Sequence, residues 1–464
     1  MKRPRRACKT PSTKFWSWMS WRPATPSSAW NREPTNSPNP QHDVGRERVL
    51  KVLVLIGGGI ADRPLPELEG RTALEAAATP AMDRIASEGE AGAWVSVSGK
   101  SSPSSDATIH ALLGSGKKMA RGPLEAAGEG IDLRAGEIAC CANFVCLRPG
   151  TTNVVMLDAM GGGLSDEEGT SLAAYLREHL PSEPDEEIGL RAMGGCRALL
   201  TYRQSGFRMP DETLDAFSPP HEFQGEPINS HLPSDEPAKR FVHIVNDSQM
   251  ILSQHSGMKE KLETRMFVAN SLWLWGGGAA QGPPPLARGM DRRNLAFVSP
   301  NPAVAGWGRL CGAETIRPRN SGGAGRKEML EAARHAAQSS DFILLYGEEA
   351  AEASLRGDIS GKIGAIEAFD REVVAPLIED PGGEGPRRIL LLVDHVLSPE
   401  PVPFAMASWD NGRIGPPRQP GGLFGLWRRF TAPAHARADA FSEKLCENQT
   451  AISGKALLRR LLAA

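Results

Sequence analysis

The chain has 464 residues, with 53 Lys and Arg against 55 Asp and Glu and 40% hydrophobic residues. That length implies about two to three domain-sized units, and the apolar share is enough for substantial cores. A net charge of −2 offers no basic surface for nucleic acid or an anionic membrane, and no apolar run reaches the ~18 residues of a membrane-spanning helix.

Residues 1–47 stand apart. The first 30 contain Lys2, Arg3, Arg5, Arg6, Lys9, Lys14 and Arg22 and no acid, together with Trp16, Trp18, Trp21 and Trp30. Basic, Ser-containing and acid-free is the composition of an organelle transit peptide. A disordered tail, or untranslated leader carried into a gene model, is the reading preferred over it. Either way the extension is expected to lie outside the fold.

The folded chain then opens with residues 49–56, VLKVLVLI, which run into Gly57-Gly58-Gly59. Such a run predicts a buried parallel strand ending in a turn. Residues 72–88 read as helical, with Leu74, Ala77, Met82 and Ile85 on one side. A loop over 98–105 precedes a second helical stretch at 106–113. From about 145 to 255, short apolar runs such as 154–157 and 198–202 are separated by Gly and Pro, which predicts a smaller inserted α+β unit. Trp273 and Trp275 alternate with Leu272 and Leu274 and are assigned to core packing. The run FILLY at 342–346 follows a helical stretch at 327–337, and ILLLV at 389–393 ends at Asp394-His395.

Strands alternating with helices predict an α/β fold with a central sheet flanked by helices. The expected division is an extension at 1–47, a main domain from 48–145 and 256–464, and an insertion at 146–255. Chemistry in such sheets collects at the carboxyl ends of strands, here just after Ile56, Tyr346 and Val393.

Seven scattered cysteines, Cys8, Cys140, Cys141, Cys146, Cys196, Cys311 and Cys446, include no Cys-x-x-Cys pair. An odd number without metal spacing argues for thiols in a reducing compartment. The cytoplasm is therefore expected, or an organelle if the extension is a transit peptide. His221 and His255 lie in loop-like segments, and the acidic run at 185–187 reads as a solvated turn.

Several segments in shared order resemble one family. They include Leu55-Ile56-Gly57-Gly58-Gly59-Ile60-Ala61-Asp62-Arg63-Pro64, Gly70-Arg71-Thr72-Ala73-Leu74 and Pro103-Ser104-Ser105-Asp106. Arg121-Gly122-Pro123-Leu124-Glu125, Asn270-Ser271-Leu272-Trp273, Gly357-Asp358, Asp394-His395 and Pro401-Val402-Pro403 continue the order. Over residues 48–464 the chain resembles the archaeal-type, 2,3-bisphosphoglycerate-independent phosphoglycerate mutases of the alkaline-phosphatase-like superfamily.

The resemblance implies an alkaline-phosphatase-like central sheet. It also implies interconversion of 3-phosphoglycerate and 2-phosphoglycerate through a phosphoserine, as in glycolysis and gluconeogenesis. The substrate would be a phosphorylated three-carbon acid, with neither nucleic acid nor membrane as partner. Ser105 would be the nucleophile. A serine hydroxyl needs a base or a metal to become nucleophilic at neutral pH. A divalent metal (Mn, Mg or Zn) is expected from the family, with Ser105, Asp394 and His395 as its matching ligands. Arg63 and Arg121 are candidates for phosphate contact, with a structural ion pair as the alternative.

The remaining family ligand positions fall on Gly58, Ala351 and Leu355, and a family histidine falls on Ile109 with His110 beside it. The depleted set implies one ion or none. Glu348, Glu349 and Glu352 are nearby sources of oxygen. Where the family has an arginine-rich stretch, this chain has Asp158-Ala159-Met160-Gly161-Gly162-Gly163. Two alternatives to the mutase follow: an inactive relative serving as a binding or regulatory module, and a phosphatase or other phosphoryl transferase.

Overall fold

The apolar runs at 51–56, 342–346 and 389–393 lie in the three central strands of one large sheet. The computed structural model describes residues 50–463 except 98–103, 115–118, 151–152, 208–216, 262–266, 281, 287–288, 319–321, 384, 386, 396–399, 411, 418–439 and 448. The extension at 1–47 lies outside the described residues, as does the side chain of His395.

In chain order the strands are β1 (Lys51–Ala61), β2 (Glu90–Val95), β3 (Ile138–Pro149), β4 (Val154–Asp158), β5 (Glu186–Gly194), β6 (Arg197–Gln204) and β7 (Ser271–Ala279). They continue as β8 (Leu295–Val298), β9 (Glu314–Ile316), β10 (Phe342–Gly347), β11 (Arg387–His395), β12 (Val402–Asp410), β13 (Arg413–Gly415) and β14 (Ile452–Ser453). The larger sheet runs β14-β2-β12-β11-β1-β10-β8-β9, with β13 paired to β12. Strands β11, β1, β10, β8 and β9 are parallel to one another, and β12 is antiparallel to both β11 and β2. The side chains of β1, β8, β10 and β12 are buried almost without interruption, as expected where helices cover both faces. The architecture is the expected α/β sheet with a second, smaller sheet.

That second sheet runs β4-β3-β6-β5, with β7 also paired to β3, and its pairings are antiparallel. It has its own apolar core, built around Phe144, Leu200, Phe241 and Trp273. Strands β3 and β7 thus extend this unit to Ile138 and Ala279, beyond the expected 146–255.

Two local expectations are corrected. Gly57-Gly58-Gly59 is not a turn: β1 continues through it to Ala61. The β1–β11 pairing shifts register between Gly57 and Ala61, which turns the Gly59 amide toward β11. Gly59 has φ +68°, and a Cβ on it would lie 2.4 Å from the Ala351 Cα, so only glycine fits there. The helical stretch at 72–88 is two helices, Ala73–Ala76 and Pro80–Glu88. Thr72 and Glu75 form a capping box on the first, and Pro80 opens the second. Among the described residues no helix is long and apolar enough to cross a membrane. The six described cysteines are free thiols.

Candidate active site

Side chains from β10 and β11 meet the β1 backbone at the carboxyl end of the sheet. Asp394, one residue before the end of β11, is 3% exposed. Its Oδ1 accepts from the Gly59 amide at 2.6 Å. Its Oδ2 accepts from the Thr108 hydroxyl at 2.9 Å and from the Tyr346 hydroxyl at 3.1 Å. Burial pushes the Asp394 carboxyl up to about 6, against the pull of these three donors and of Lys362. Burial, and then the facing Asp394, raise the Tyr346 phenol well above its ordinary range. Lys362 is itself buried and donates to Asp62 at 2.7 Å.

Ser105 opens the helix Ser105–Leu113, whose first turn is capped by the Ser104 hydroxyl accepting from the Ala107 amide. The family loop and helix signals converge on this start, so Ser105 sits at the positive end of the helix. Thr108, one turn further along, is the residue that reaches Asp394. The Ser105 hydroxyl donates to Asn301 Oδ1 at 3.4 Å and accepts from Arg121 Nη1 at 3.4 Å.

Arg121 begins the helix Arg121–Gly128 and makes two stronger contacts: Nη1 to Asp106 at 2.9 Å and Nε to Glu125 at 2.8 Å. Arg197 also donates to Glu125, at 3.1 Å. Burial alone would raise the Glu125 carboxyl, but Arg197 and Arg121 outweigh it and hold Glu125 below its usual range. Burial likewise opposes the charge on Arg121, and Glu125 and Asp106 overcome it and keep the guanidinium cationic.

Asn301 is the hinge of the cluster. Its Oδ1 caps the helix Pro302–Leu310 through the Ala303 and Val304 amides, and its Nδ2 donates to Glu348 at 2.6 Å. Ser105 is thereby linked through one amide to a carboxylate at the end of β10. Glu348 also lines a cavity beside Gly57 and Gly58, with Glu352, Arg326, Met329 and Phe369. Burial and the neighbouring Glu348 raise the Glu352 carboxyl.

On the side of the smaller sheet, the Arg121 guanidinium lies 5.5 Å above the Trp275 ring. The His221 ring meets the same indole edge-on at 6.0 Å. Burial, and then Arg121, hold His221 down at about 4, so it is neutral at physiological pH. Trp273 is fully buried in the core of the smaller sheet, and Trp275 packs against that core while also offering its ring to the Arg121 guanidinium.

The structure thus brings Ser105, Arg121 and Asp394 to one end of the sheet. Arg63 is exposed and pairs with Glu400 at 3.4 Å. His110 packs toward the Trp307 ring at 6.0 Å, and Ile109 is fully buried. Glu349 pairs with Arg326. Asn301, Tyr346 and Thr108 were not singled out from the sequence, whereas Glu348 was named there as a source of oxygen. Only the strand-end rule pointed near Tyr346, and no signal pointed to Asn301 except the Asn-Pro step of a helix start.

Among the described residues the donor set does not fit a divalent metal. Gly58 has no side chain, and the Tyr346 hydroxyl fills the space beside it: a Cβ there would lie 2.3 Å from that oxygen. Ala351 and Leu355 carry only hydrocarbon. Both Asp394 oxygens are covered by neutral donors, and a guanidinium stands against Ser105. Among the described residues no group of three or more His, Cys, Asp or Glu could hold a metal ion.

Comparisons with known proteins agree with the resemblance in the sequence. A family profile described as 2,3-bisphosphoglycerate-independent phosphoglycerate mutase matches residues 86–257. A protein named probable 2,3-bisphosphoglycerate-independent phosphoglycerate mutase, from Geobacter sulfurreducens, is 32% identical over 377 residues, covering 78% of this chain and 92% of its own. A relative of the same family from Methanothrix thermoacetophila is 33% identical over 378 residues, covering 77% of this chain and 91% of its own. Among solved structures, the PH0037 protein of Pyrococcus horikoshii shares the fold. It covers 89% of this chain and 97% of its own with TM-score 0.59 and 20% identity.

Proposed function

The chain belongs to the 2,3-bisphosphoglycerate-independent phosphoglycerate mutase family, and from that premise we propose that it interconverts 3-phosphoglycerate and 2-phosphoglycerate through a phosphoserine at Ser105. The observation that carries this reading is the Arg121 guanidinium 3.4 Å from a hydroxyl at the start of a helix, beneath the ends of the central strands. A guanidinium and a helix N-terminus both favour the negative charge of a phosphoryl group.

In this reading a bond forms between Ser105 Oγ and phosphorus as the substrate's P–O bond breaks. The serine proton leaves with the departing glycerate oxygen. The glycerate then presents its other hydroxyl, and the same steps run in reverse. Arg121 holds the transferring group, and Asp106 and Glu125 hold Arg121. Asn301 orients the serine hydroxyl. The divalent metal expected of the family is not carried over, because the residues present do not fit it. With no metal and no strong base on Ser105, turnover several powers of ten below that of a two-metal enzyme is expected. Neither 1–47 nor the compartment enters this reading.

A second reading has its own observation. The carboxylate expected to serve the chemistry, Asp394, is held by three hydrogen bonds from the protein, which suits a member that binds the phosphorylated acid without turning it over. The test is phosphorus NMR of purified protein with 3-phosphoglycerate, with mass spectrometry of the protein after quenching. Formation of 2-phosphoglycerate and a phosphate adduct on Ser105, both lost in Ser105→Ala, supports the mutase. Saturable binding without either product supports the second reading. Release of inorganic phosphate alone would make the protein a phosphatase.

A further inference from the structure

We infer that the Tyr346 hydroxyl has taken the place of a cation at Asp394, so that Gly59, Tyr346, Thr108 and Asp394 form a metal-free hydrogen-bond hub joining the three central strands to the helix of Ser105. The inference is independent of which phosphate ester the protein acts on.

Three observations carry it. First, the donors are the wrong kind for a metal ligand and the right kind for a structural carboxylate. A divalent ion needs lone pairs aimed into an open hollow. The Gly59 amide on Oδ1, and the Thr108 and Tyr346 hydroxyls on Oδ2, aim hydrogens at those lone pairs instead. Second, the space is taken. The position that a Cβ on Gly58 would occupy is 2.3 Å from the Tyr346 oxygen and 2.8 Å from the Gly347 carbonyl oxygen. Any ligand-bearing side chain at 58 would displace the phenol, so the glycine and the tyrosine are a matched pair. Third, the hub links neighbouring elements. β11 supplies Asp394, β1 supplies Gly59, β10 supplies Tyr346, and Thr108 lies three residues after Ser105 in its helix. In the register, Ile56 of β1 faces Tyr346 of β10, and Gly57 faces Val393 of β11. A buried carboxylate needs such partners, because leaving it unpaired costs several kcal/mol.

The test compares wild type, Tyr346→Phe and Asp394→Asn by thermal unfolding and calorimetric titration with Mn²⁺, Mg²⁺ and Zn²⁺, after chelator treatment and desalting. The hub predicts no Asp394-dependent metal binding and no metal-induced rise in Tm. It also predicts a Tm several degrees lower for Tyr346→Phe with or without metal. Asp394→Asn should cost less than Tyr346→Phe, because both hydroxyls can rotate to accept from the new amide. Metal binding that survives Asp394→Asn leaves the hub standing, since the ion then sits elsewhere. Saturable binding that raises the wild-type Tm and disappears in Asp394→Asn overturns the inference. Should that variant fail to fold, Tyr346→Phe decides: no saturable binding, or binding identical in wild type and Tyr346→Phe, supports the hub, and saturable wild-type binding whose affinity changes in Tyr346→Phe overturns it.

Discussion

Arg121 Nε donates to Glu125 Oε1 across 2.8 Å, and that carboxylate is 2% exposed. The same oxygen accepts from Arg197 at 3.1 Å, so one buried acid anchors two cations at the edge of the candidate site. Removing the acid leaves both guanidinium groups without it. Breaking such a pair from one side costs about 3–5 kcal/mol. Arg197 is 37% exposed and regains water, so Glu125→Ala is expected at the low end, about 3 kcal/mol. Urea unfolding checks this, and an unchanged midpoint would remove Glu125 from any structural role. Glu125→Gln keeps one acceptor oxygen and should cost less.

Asn301 does two tasks with one side chain, and substitutions separate them. Its oxygen caps the helix Pro302–Leu310, while its amide nitrogen holds Glu348. Asn301→Ala should lose about 1–2 kcal/mol from the cap alone and should also lower phosphoserine formation. Asn301→Asp keeps a capping oxygen but sets a second carboxylate against Glu348. Its stability should fall at neutral pH and recover as the pair takes up a proton in mild acid. Thermal unfolding across pH measures both, and equal behaviour of the two variants would show that the Glu348 contact contributes nothing.

His221 makes the fold acid-sensitive. Its folded pKa, about 4, lies below the ordinary value of 6.5, because burial and Arg121 disfavour the imidazolium. The folded state therefore binds the proton less readily than the unfolded chain. Stability from this group is complete above about pH 6.5 and is lost as pH falls toward 4. His221→Gln should flatten the Tm profile between those values while leaving the Tm at pH 8 nearly unchanged. A parallel profile in wild type and variant would place the acid sensitivity elsewhere.

The sequence by itself determined the sheet and the place to look on it. Long β-branched and leucine runs such as 51–56 and 389–393 are buried on both faces, and that burial is written in composition, one residue at a time. The motifs that carry Ser105 and Arg121 were legible as well, because their order along the chain is itself informative. The limits of the smaller unit were less legible. Strands β3 and β7 join it through pairing with each other, and no composition shift marks that event at Ile138 or Ala279.

Only the tertiary structure decided what the site contains. Tyr346 reads in sequence as the last apolar residue of a strand, and Asn301 as a polar residue between two prolines. Tyr346 meets Asp394 because β10 and β11 flank β1, and Gly58 leaves room for the phenol. Asn301 meets Ser105 although 196 residues separate them. Hydrogen bonds act over about 3 Å, whereas sequence patterns report only whether a position faces water. Whether a buried polar group meets a metal, a phenol or an amide depends on neighbours that adjacency along the chain does not specify.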